Sequence, residues 1–326
     1  MSKDMVLEHG WKVLLGAFLI LLPLIVPEMK VHLATEILVF CLFAIAFNLL
    51  LGYTGLLPFG FAAMFGVGAY ATALMFNHAA GTPLAVVILV AAAAGFLTAL
   101  FIGAFCVRLG GTYFALLTLA FQMFFYAVAM KWREVTNGDD GMGVTRPEVW
   151  LPGLGNLSLM NIHTLYWVTL FFVAIGITLA WLFLKTPLGN SVVSMRENDE
   201  RAAFLGYNVF ITKLTVFAFA GMLAGAAGGL FVLYHEFVAT TAIDSNMSFT
   251  IVLMTIVGGS GRFMGPILGV VFFMLFQDWL SDLTDHWWLY FGICFIIVVL
   301  YIEGGLISLF SREGLRVIFK RRENNT

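Results

Sequence analysis

Apolar residues run along this chain in long blocks, and polar positions gather between them. A membrane-crossing helix needs about 20 mostly apolar residues. Ten stretches reach or approach that length: 12–27, 33–51, 58–77, 83–107, 112–131, 162–184, 213–234, 247–260, 264–281 and 287–304. The first and eighth are short. Pro23 and Pro27 close the first, and Gly258, Gly259 and Gly261 close the eighth. The pattern predicts an all-α, polytopic membrane protein of about ten transmembrane helices, one domain over residues 1–326.

Two polar stretches interrupt the blocks. Residues 132–161 (WREVTNGDDGMGVTRPEVWLPGLGNLSLMN) are rich in Gly, Pro and Asp and read as turns. Residues 185–212 hold the densest charge, with Arg196, Glu197, Asp199, Glu200 and Arg201 close together. Ser194-Met195-Arg196-Glu197 has the spacing of a capping box and predicts a helix starting at Met195. Gly206 suits the position just past its end. Arg196 with Glu200, and Glu197 with Arg201, are spaced to pair on that helix. It is too short and too charged to span a bilayer, so it is either a solvated connector or a docking element.

Composition agrees with the blocks. Hydrophobic residues make up 61% of the chain and charged residues 11%, and mean hydropathy is +0.97. A soluble domain is about half apolar and about a quarter charged. Cys41, Cys106 and Cys294 sit inside apolar runs without a C-x-x-C spacing, so they read as packing residues. The net charge of −2 comes without a polybasic block, which argues against nucleic acid. Lys3 and Lys12 precede the first apolar stretch without a small-residue cleavage site, so that stretch reads as an uncleaved span. Lys and Arg collect in cytoplasmic loops. With the N-terminus inside, only Lys30, Lys131, Arg133 and Arg146 of the 17 Lys and Arg fall outside. The expected topology is multi-pass with both termini cytoplasmic, 185–212 internal and 132–161 external.

Catalytic signatures are missing. The chain has no G-x-x-x-x-G-K-[ST], G-x-S-x-G or H-E-x-x-H, and its six His are scattered. No catalytic or metal residues are expected, and no cofactor bound by this chain.

Three segments carry the candidate chemistry. In 50–75, Gly52, Gly55, Gly60, Gly66 and Gly68 surround Pro58. Pro lacks an N–H and disfavours helix at the residue before it. This predicts a broken or re-entering helix, which is tolerated at membrane depth only under protein or beside a water-filled cavity. The alternative is a tight helix–helix contact followed by an ordinary loop. VGGSGRFMGPILG, 257–269, loosely echoes that segment. Spans within 33–131 begin outside and those within 213–304 begin inside, which suggests an inverted repeat. In RLGGTYFALLTLAFQ, 108–122, Thr118 and Gln122 share a helix face. Asn48, Gln122 and Gln277 are amides in or near spans, either interhelical glue or lining groups. The pathway candidates are Asn48, Tyr53, Thr54, Pro58, Tyr113, Thr118 and Gln122. Glu36, Glu236, Asp278 and Glu303 lie near span ends, where headgroups and water solvate them.

These segments resemble the LivM-type permeases, membrane subunits of bacterial ABC importers for branched-chain amino acids. The resemblance rests on NLLLGYTGLLPFGFAAMFGVGAYATALM (48–75), RLGGTYFALLTLAF (108–121), TNGDDGMG (136–143), KTPLGNSVVSMRENDERAAFLGYNVFITKLTVFAFAGMLAGAAGGL (185–230) and VLMTIVGGSGRFMGPILG (252–269). It implies the ABC importer permease fold in the bacterial inner membrane. The implied partners are a second related permease, two ATP-binding subunits carrying ATP and Mg, a periplasmic substrate-binding protein and membrane lipid. The run from Glu200 to Gly206 is similar to the family's coupling motif E-A-A-x-x-x-G, with Arg201 in place of the first Ala. The resemblance thus implies that Arg196, Glu197, Asp199, Glu200, Arg201, Ala202, Ala203 and Gly206 couple the chain to an ATPase. Relatives carry small or polar residues where Leu57-Pro58-Phe59 stands, so the solute here is branched-chain or similar apolar amino acids, or another small solute such as an amide, urea or aromatic acid. A stand-alone carrier would need a buried acid at mid-membrane, and a membrane enzyme would need clustered His, Asp or Cys; neither pattern is present.

Overall fold

The computed structural model describes residues 16, 18–79, 81–146, 148–151, 155–197, 199–204, 206–284, 286–301 and 304–310. A helix lies on each of the ten apolar stretches. Residues 18–25 are helical, and the remaining residues of the first stretch before 18 lie largely outside the described ones. The others are α1 (Glu28–Asn48), α2 (Ala62–His78), α3 (Leu84–Cys106), α4 (Gly111–Lys131), α5 (Ile162–Lys185), α8 (Val209–His235), α9 (Ser245–Gly258), α10 (Gly265–Ser281) and α11 (Trp287–Tyr301). Between α5 and α8 lie α6 (Pro187–Glu197) and α7 (Asp199–Phe204). Proline or a capping side chain starts several of them. Pro27 and Pro83 precede α1 and α3. Asn161, Asn208 and Asp244 accept from backbone N–H groups at the starts of α5, α8 and α9.

Five of these elements are long and apolar enough to cross a membrane: Glu28–Thr54, Leu84–Cys106, Gly111–Lys131, Ile162–Lys185 and Val209–His235. Helices α9 and α10 are apolar but shorter. Outward faces carry Leu89, Leu97, Phe105, Leu116, Phe124, Phe171 and Leu179, all exposed. So wide an apolar surface suits lipid. The protein is an integral membrane protein.

Glu28–Thr54 and α8 are the central pair, enclosed over 78% of their apolar windows. Helix α8 packs against α2 and α3 through small residues. A Cβ on Gly228 would sit 1.9 Å from the Phe65 carbonyl oxygen, and one on Gly95 would sit 2.3 Å from that of Gly221. Without a hydrophobic drive between helices in lipid, such backbone approach supplies the contact energy.

The two ends of α8 define the ends of the bundle. Near Val209 lies the connector, α6 and α7. Near His235 lies the segment 132–161, where the expected turns and the all-α reading need correction. Beyond one helical turn, Arg133–Thr136, it forms short strands: β1 (Met142–Gly143), β2 (Glu148–Leu151) and β3 (Gly155–Ser158). Strand β1 pairs antiparallel with β4 (Phe237–Val238), and β2 with β3. Backbone groups outside helices need partners, and these pairings supply them. The last carbonyls of α8 find theirs in Arg146: Nε donates to the Leu233 carbonyl at 2.7 Å and Nη2 to that of Tyr234, while Nη1 lies 3.0 Å from Glu236. At this end the span-terminal acids have side-chain partners as well as solvent: Asp278 is ion-paired with Lys30 at 2.6 Å, and Glu36 lies 3.7 Å from His235. Glu303 lies outside the described residues.

The halves α1–α4 and α8–α11 share an element order. Each opens with a 27-residue helical element, Glu28–Thr54 or Val209–His235. A residue of positive φ follows, Gly55 at 71° or Glu236 at 57°. A stretch without α-helix, a shorter α-helix and two further α-helices complete each half, the second half adding a 3-10 turn at Thr240–Ile243.

Candidate functional site

The predicted break is present. After Asn48 the helix widens into a π-turn, Leu49–Thr54, then stops at Gly55; 55–58 runs without regular structure and a turn leads into α2. π-Turns are rare and frequent at functional sites. Thr54 Oγ1 donates back to the carbonyls of Leu49, at 3.2 Å, and Leu50. The Leu56 N–H returns to the Leu50 carbonyl at 3.0 Å. Pro58 is buried in the non-helical stretch.

The connector-end side of the break meets the second glycine segment. Asn48 Oδ1 accepts from Gly261 N at 3.1 Å, and its Nδ2 donates to the Arg262 carbonyl at 3.1 Å. Gly52 has no room for a side chain, since a Cβ would fall 2.1 Å from Asn48 Oδ1 and 2.4 Å from Gly261 N. Arg262 reaches the Ile307 carbonyl at 3.5 Å, and Gly259 abuts Gly304. The two segments that echo each other in sequence therefore touch.

The other side of the break is held by α4 and α9. Gly60 N–H points to Thr118 Oγ1 at 3.4 Å. Ala62 N donates to Ser248 Oγ at 2.9 Å, Ser248 Oγ donates to Gln122 Oε1 at 2.8 Å, and Gln122 Nε2 donates to the Ile243 carbonyl at 2.7 Å. Thr118, Gln122 and Ser248 are fully buried. Ala62 N is among the first N–H groups of α2, which lack intrahelical partners, so the chain closes that gap. Asn48, Thr54, Pro58, Thr118 and Gln122 gather at the break, and Tyr53 lies half-buried within it. Tyr113 is 75% exposed at the start of α4 and takes no part. Ser248 and Ile243 carry no motif of their own, whereas Gly261 belongs to the glycine segment 257–269. The only signal at Ser248 is a polar residue at the start of an apolar run, and Ile243, which contributes a backbone carbonyl, has none.

A cavity of about 490 Å³ opens between α1, α9 and α10, lined among others by Glu36, Phe40, Asp244, Met254, Phe273 and Asp278. None of the pathway candidates lines it. Among the described residues, no group of three His, Cys, Asp or Glu is placed to hold a metal ion.

The connector helix starts earlier than the capping box at Ser194 predicts. Thr186 caps it: Oγ1 accepts from Gly189 N at 3.2 Å and its carbonyl from Asn190 N at 3.1 Å, with Pro187 in the first turn. Thr followed by Pro is the stronger start, because proline's fixed φ suits that turn and its missing N–H costs nothing there. Ser194 lies inside α6. The far end matches the expectation. Gly206 has φ +88°, Gly206 N donates to the Ala203 carbonyl at 3.0 Å, and Tyr207 N to that of Ala202 at 3.2 Å.

Of the coupling residues, Ala202 is buried, and Ala203 and Gly206 are exposed. The side chains of Glu197, Asp199, Glu200 and Arg201 lie outside the described residues, as does Leu205. Arg196 turns towards the bundle, where Nη1 donates to the Gly52 carbonyl. Phe204, absent from the sequence-based set, is 90% exposed beside Gly206.

A bundle of apolar helices with an enclosed break and a capped connector defines a membrane permease. The chain belongs to the family of branched-chain amino acid transport system permease components, whose model matches residues 29–301. It is similar to the high-affinity branched-chain amino acid transport system permease protein LivM of Escherichia coli K12, 26% identical over 94% of this chain and 77% of that protein. LivM of Salmonella typhimurium is 27% identical over 90% and 73%. The autoinducer 2 import system permease protein LsrC of Shigella flexneri is 26% identical over 48% and 47%. No solved structure matches the chain.

Proposed function

We propose that this chain is the membrane-spanning permease subunit of an ATP-driven importer, moving branched-chain or similar apolar amino acids across the bacterial inner membrane by alternating access. It crosses the membrane ten times with both termini cytoplasmic, and its two halves form an inverted repeat. The shared element order of α1–α4 and α8–α11 supports that repeat. The connector end faces the cytoplasm, and the end carrying β1–β4 faces outside. The partners are a second related permease, two ATP-binding subunits that carry ATP and Mg, and a periplasmic substrate-binding protein.

The observation that carries this reading is the connector. It is a capped pair of short helices between two long ones, ending in an exposed Phe204 beside a left-handed Gly206. A large apolar side chain standing free suits a desolvated pocket on a partner. The chain has no Walker-type sequence of its own, so the ATPase is a separate chain.

The test is co-purification followed by assay of the complex. Stoichiometric ATP-binding subunits are expected, and Glu200→Lys with Arg201→Glu should leave the chain inserted while abolishing substrate-stimulated ATP hydrolysis. Leucine transport by the chain alone in liposomes without ATP would overturn the reading, and wild-type stimulation in the double variant would remove the docking role.

A further inference from the structure

We propose that Arg196 is a positioning residue that latches the connector to the helix break, holding the π-turn 49–54 against the 259–265 segment. This deepens the proposed coupling role and rests on it only for the direction of force. The latch itself is a property of this chain.

Three segments converge on one guanidinium. Gly52 carries one of the last four carbonyls of the element that ends at Thr54, and such carbonyls have no intrahelical partner. Arg196 Nη1 donates to it. A cation at a helix C-terminus also meets the negative end of the helix dipole. The arginine stem and head occupy space that side chains would fill. A Cβ on Gly55 would lie 3.3 Å from Arg196 Cγ, and one on Gly261 would lie 3.0 Å from Arg196 Nη1. Both glycines have positive φ, +71° and +86°. Glycines thus open a seat, and the arginine comes from a different element, α6.

The seat is sensitive to small movements. Gly52 and Gly261 are in backbone contact, tied through Asn48. A hydrogen bond is largely lost once the donor withdraws by about 1 Å. Displacing α6 by that amount therefore frees the Gly52 carbonyl and removes the wedge beside Gly261. Arg196 lies in the last turn of α6, and the exposed Phe204 ends the next helix, α7. The latch adds an inward contact to the family-based place of Arg196 in the coupling set.

The test is chemical and needs neither ATP nor partners, so its outcome is separate from that of the import reading. The full chain in open membrane fragments carries Cys41→Ala, Cys106→Ala and Cys294→Ala, with a single reporter, Tyr53→Cys, one residue from Gly52. A membrane-impermeant maleimide measures its accessibility. Slow labelling is expected with Arg196, at least about tenfold faster labelling with Arg196→Ala, and partial restoration with Arg196→Lys, which keeps a cationic donor. The reporter Ala63→Cys, at a fully buried position at the start of α2 on the far side of the break, should stay unlabelled with either residue at 196. Equal labelling of the Tyr53→Cys reporter with Arg196 and Arg196→Ala overturns the proposal, as does faster labelling at both reporters, which marks general loosening. If Arg196→Ala fails to accumulate, Arg196→Gln replaces it, and labelling no faster than with Arg196→Lys overturns the proposal equally.

Discussion

Replacing Gln122 by Leu tests whether the chain Ala62–Ser248–Gln122–Ile243 holds the break. Leu is close to Gln in volume, so Gln122→Leu changes hydrogen bonding more than packing. It removes the donor to the Ile243 carbonyl and the acceptor for Ser248 Oγ, at 2.7 and 2.8 Å. Losing a partner for a buried polar group costs about 1–3 kcal/mol. Interhelical hydrogen bonds in membranes average about 0.6 kcal/mol and reach about 1.7 kcal/mol, because the unfolded chain in lipid finds other partners. Gln122 is 0% exposed, so no solvent replaces what is lost, and about 1–3 kcal/mol is expected. Ser248→Ala should cost a similar amount, since it strips the acceptor from Ala62 N as well as the donor to Gln122.

The shared bond is lost in both single variants, so the double variant should be more stable than the sum of losses implies, by about 0.6–1.7 kcal/mol. The assay is reversible unfolding of the purified chain in mixed micelles, titrated with a denaturing detergent, for wild type, both singles and the double. Additivity within about 0.3–0.5 kcal/mol is what independent sites give. That result, or a Gln122→Leu variant as stable as wild type, would refute the claim that this chain of bonds braces the break.

Two further substitutions probe the frame. Gly228→Ala should destabilise by about 1–3 kcal/mol, because its Cβ would meet backbone rather than a yielding side chain. Gly292→Ala, with nothing within 4 Å, should stabilise by about 0.5–1 kcal/mol, so the same unfolding assay should give opposite signs. Arg146→Ala strips two carbonyls at the end of α8 and the partner of Glu236. With hydrogen bonds to charged groups at about 1.5–3 kcal/mol each, limited proteolysis should cut the 132–161 segment at least several-fold faster, and unchanged cutting would show that Arg146 does not anchor it.

The helices were legible because apolar blocks of membrane length leave few alternatives to helix. The break was legible because Gly52, Gly55 and Pro58 fall together where a helix would otherwise continue. Its partners were not. Ser248 meets Ala62 and Gly261 meets Asn48 across some two hundred residues, and no local pattern encodes such a pairing. The short strands were missed for a related reason. A two-residue strand such as Met142–Gly143 has no periodicity, and its partner Phe237–Val238 lies just past the end of α8, nearly a hundred residues on. At the connector two start signals competed. Ser194 to Glu197 fits a capping box, but Thr186-Pro187 comes first in the chain, and a helix once started runs through Ser194 because nothing there stops it. Arg196 was conspicuous as a charge, yet its direction depended on the seat opened by Gly55 and Gly261, which only the folded chain assembles.

The two sides of the break are held by unlike means. The side at Ala62 is fixed by hydrogen bonds among fully buried groups on α2, α4 and α9, with Thr118 backing Gly60. Separating these would leave polar groups unpaired in an apolar interior, where each costs about 1–3 kcal/mol. The side at Gly52 is held by Asn48 and by one guanidinium from a helix that itself lies outside the bundle's central pair. That guanidinium is partly exposed, so water takes over its bonds as it withdraws, and release costs less than at the buried side. A pull on α6 therefore opens the Gly52 side first and leaves the Ala62 side as the pivot. This difference is why the maleimide reporters at 53 and 63 should respond differently to the loss of one arginine.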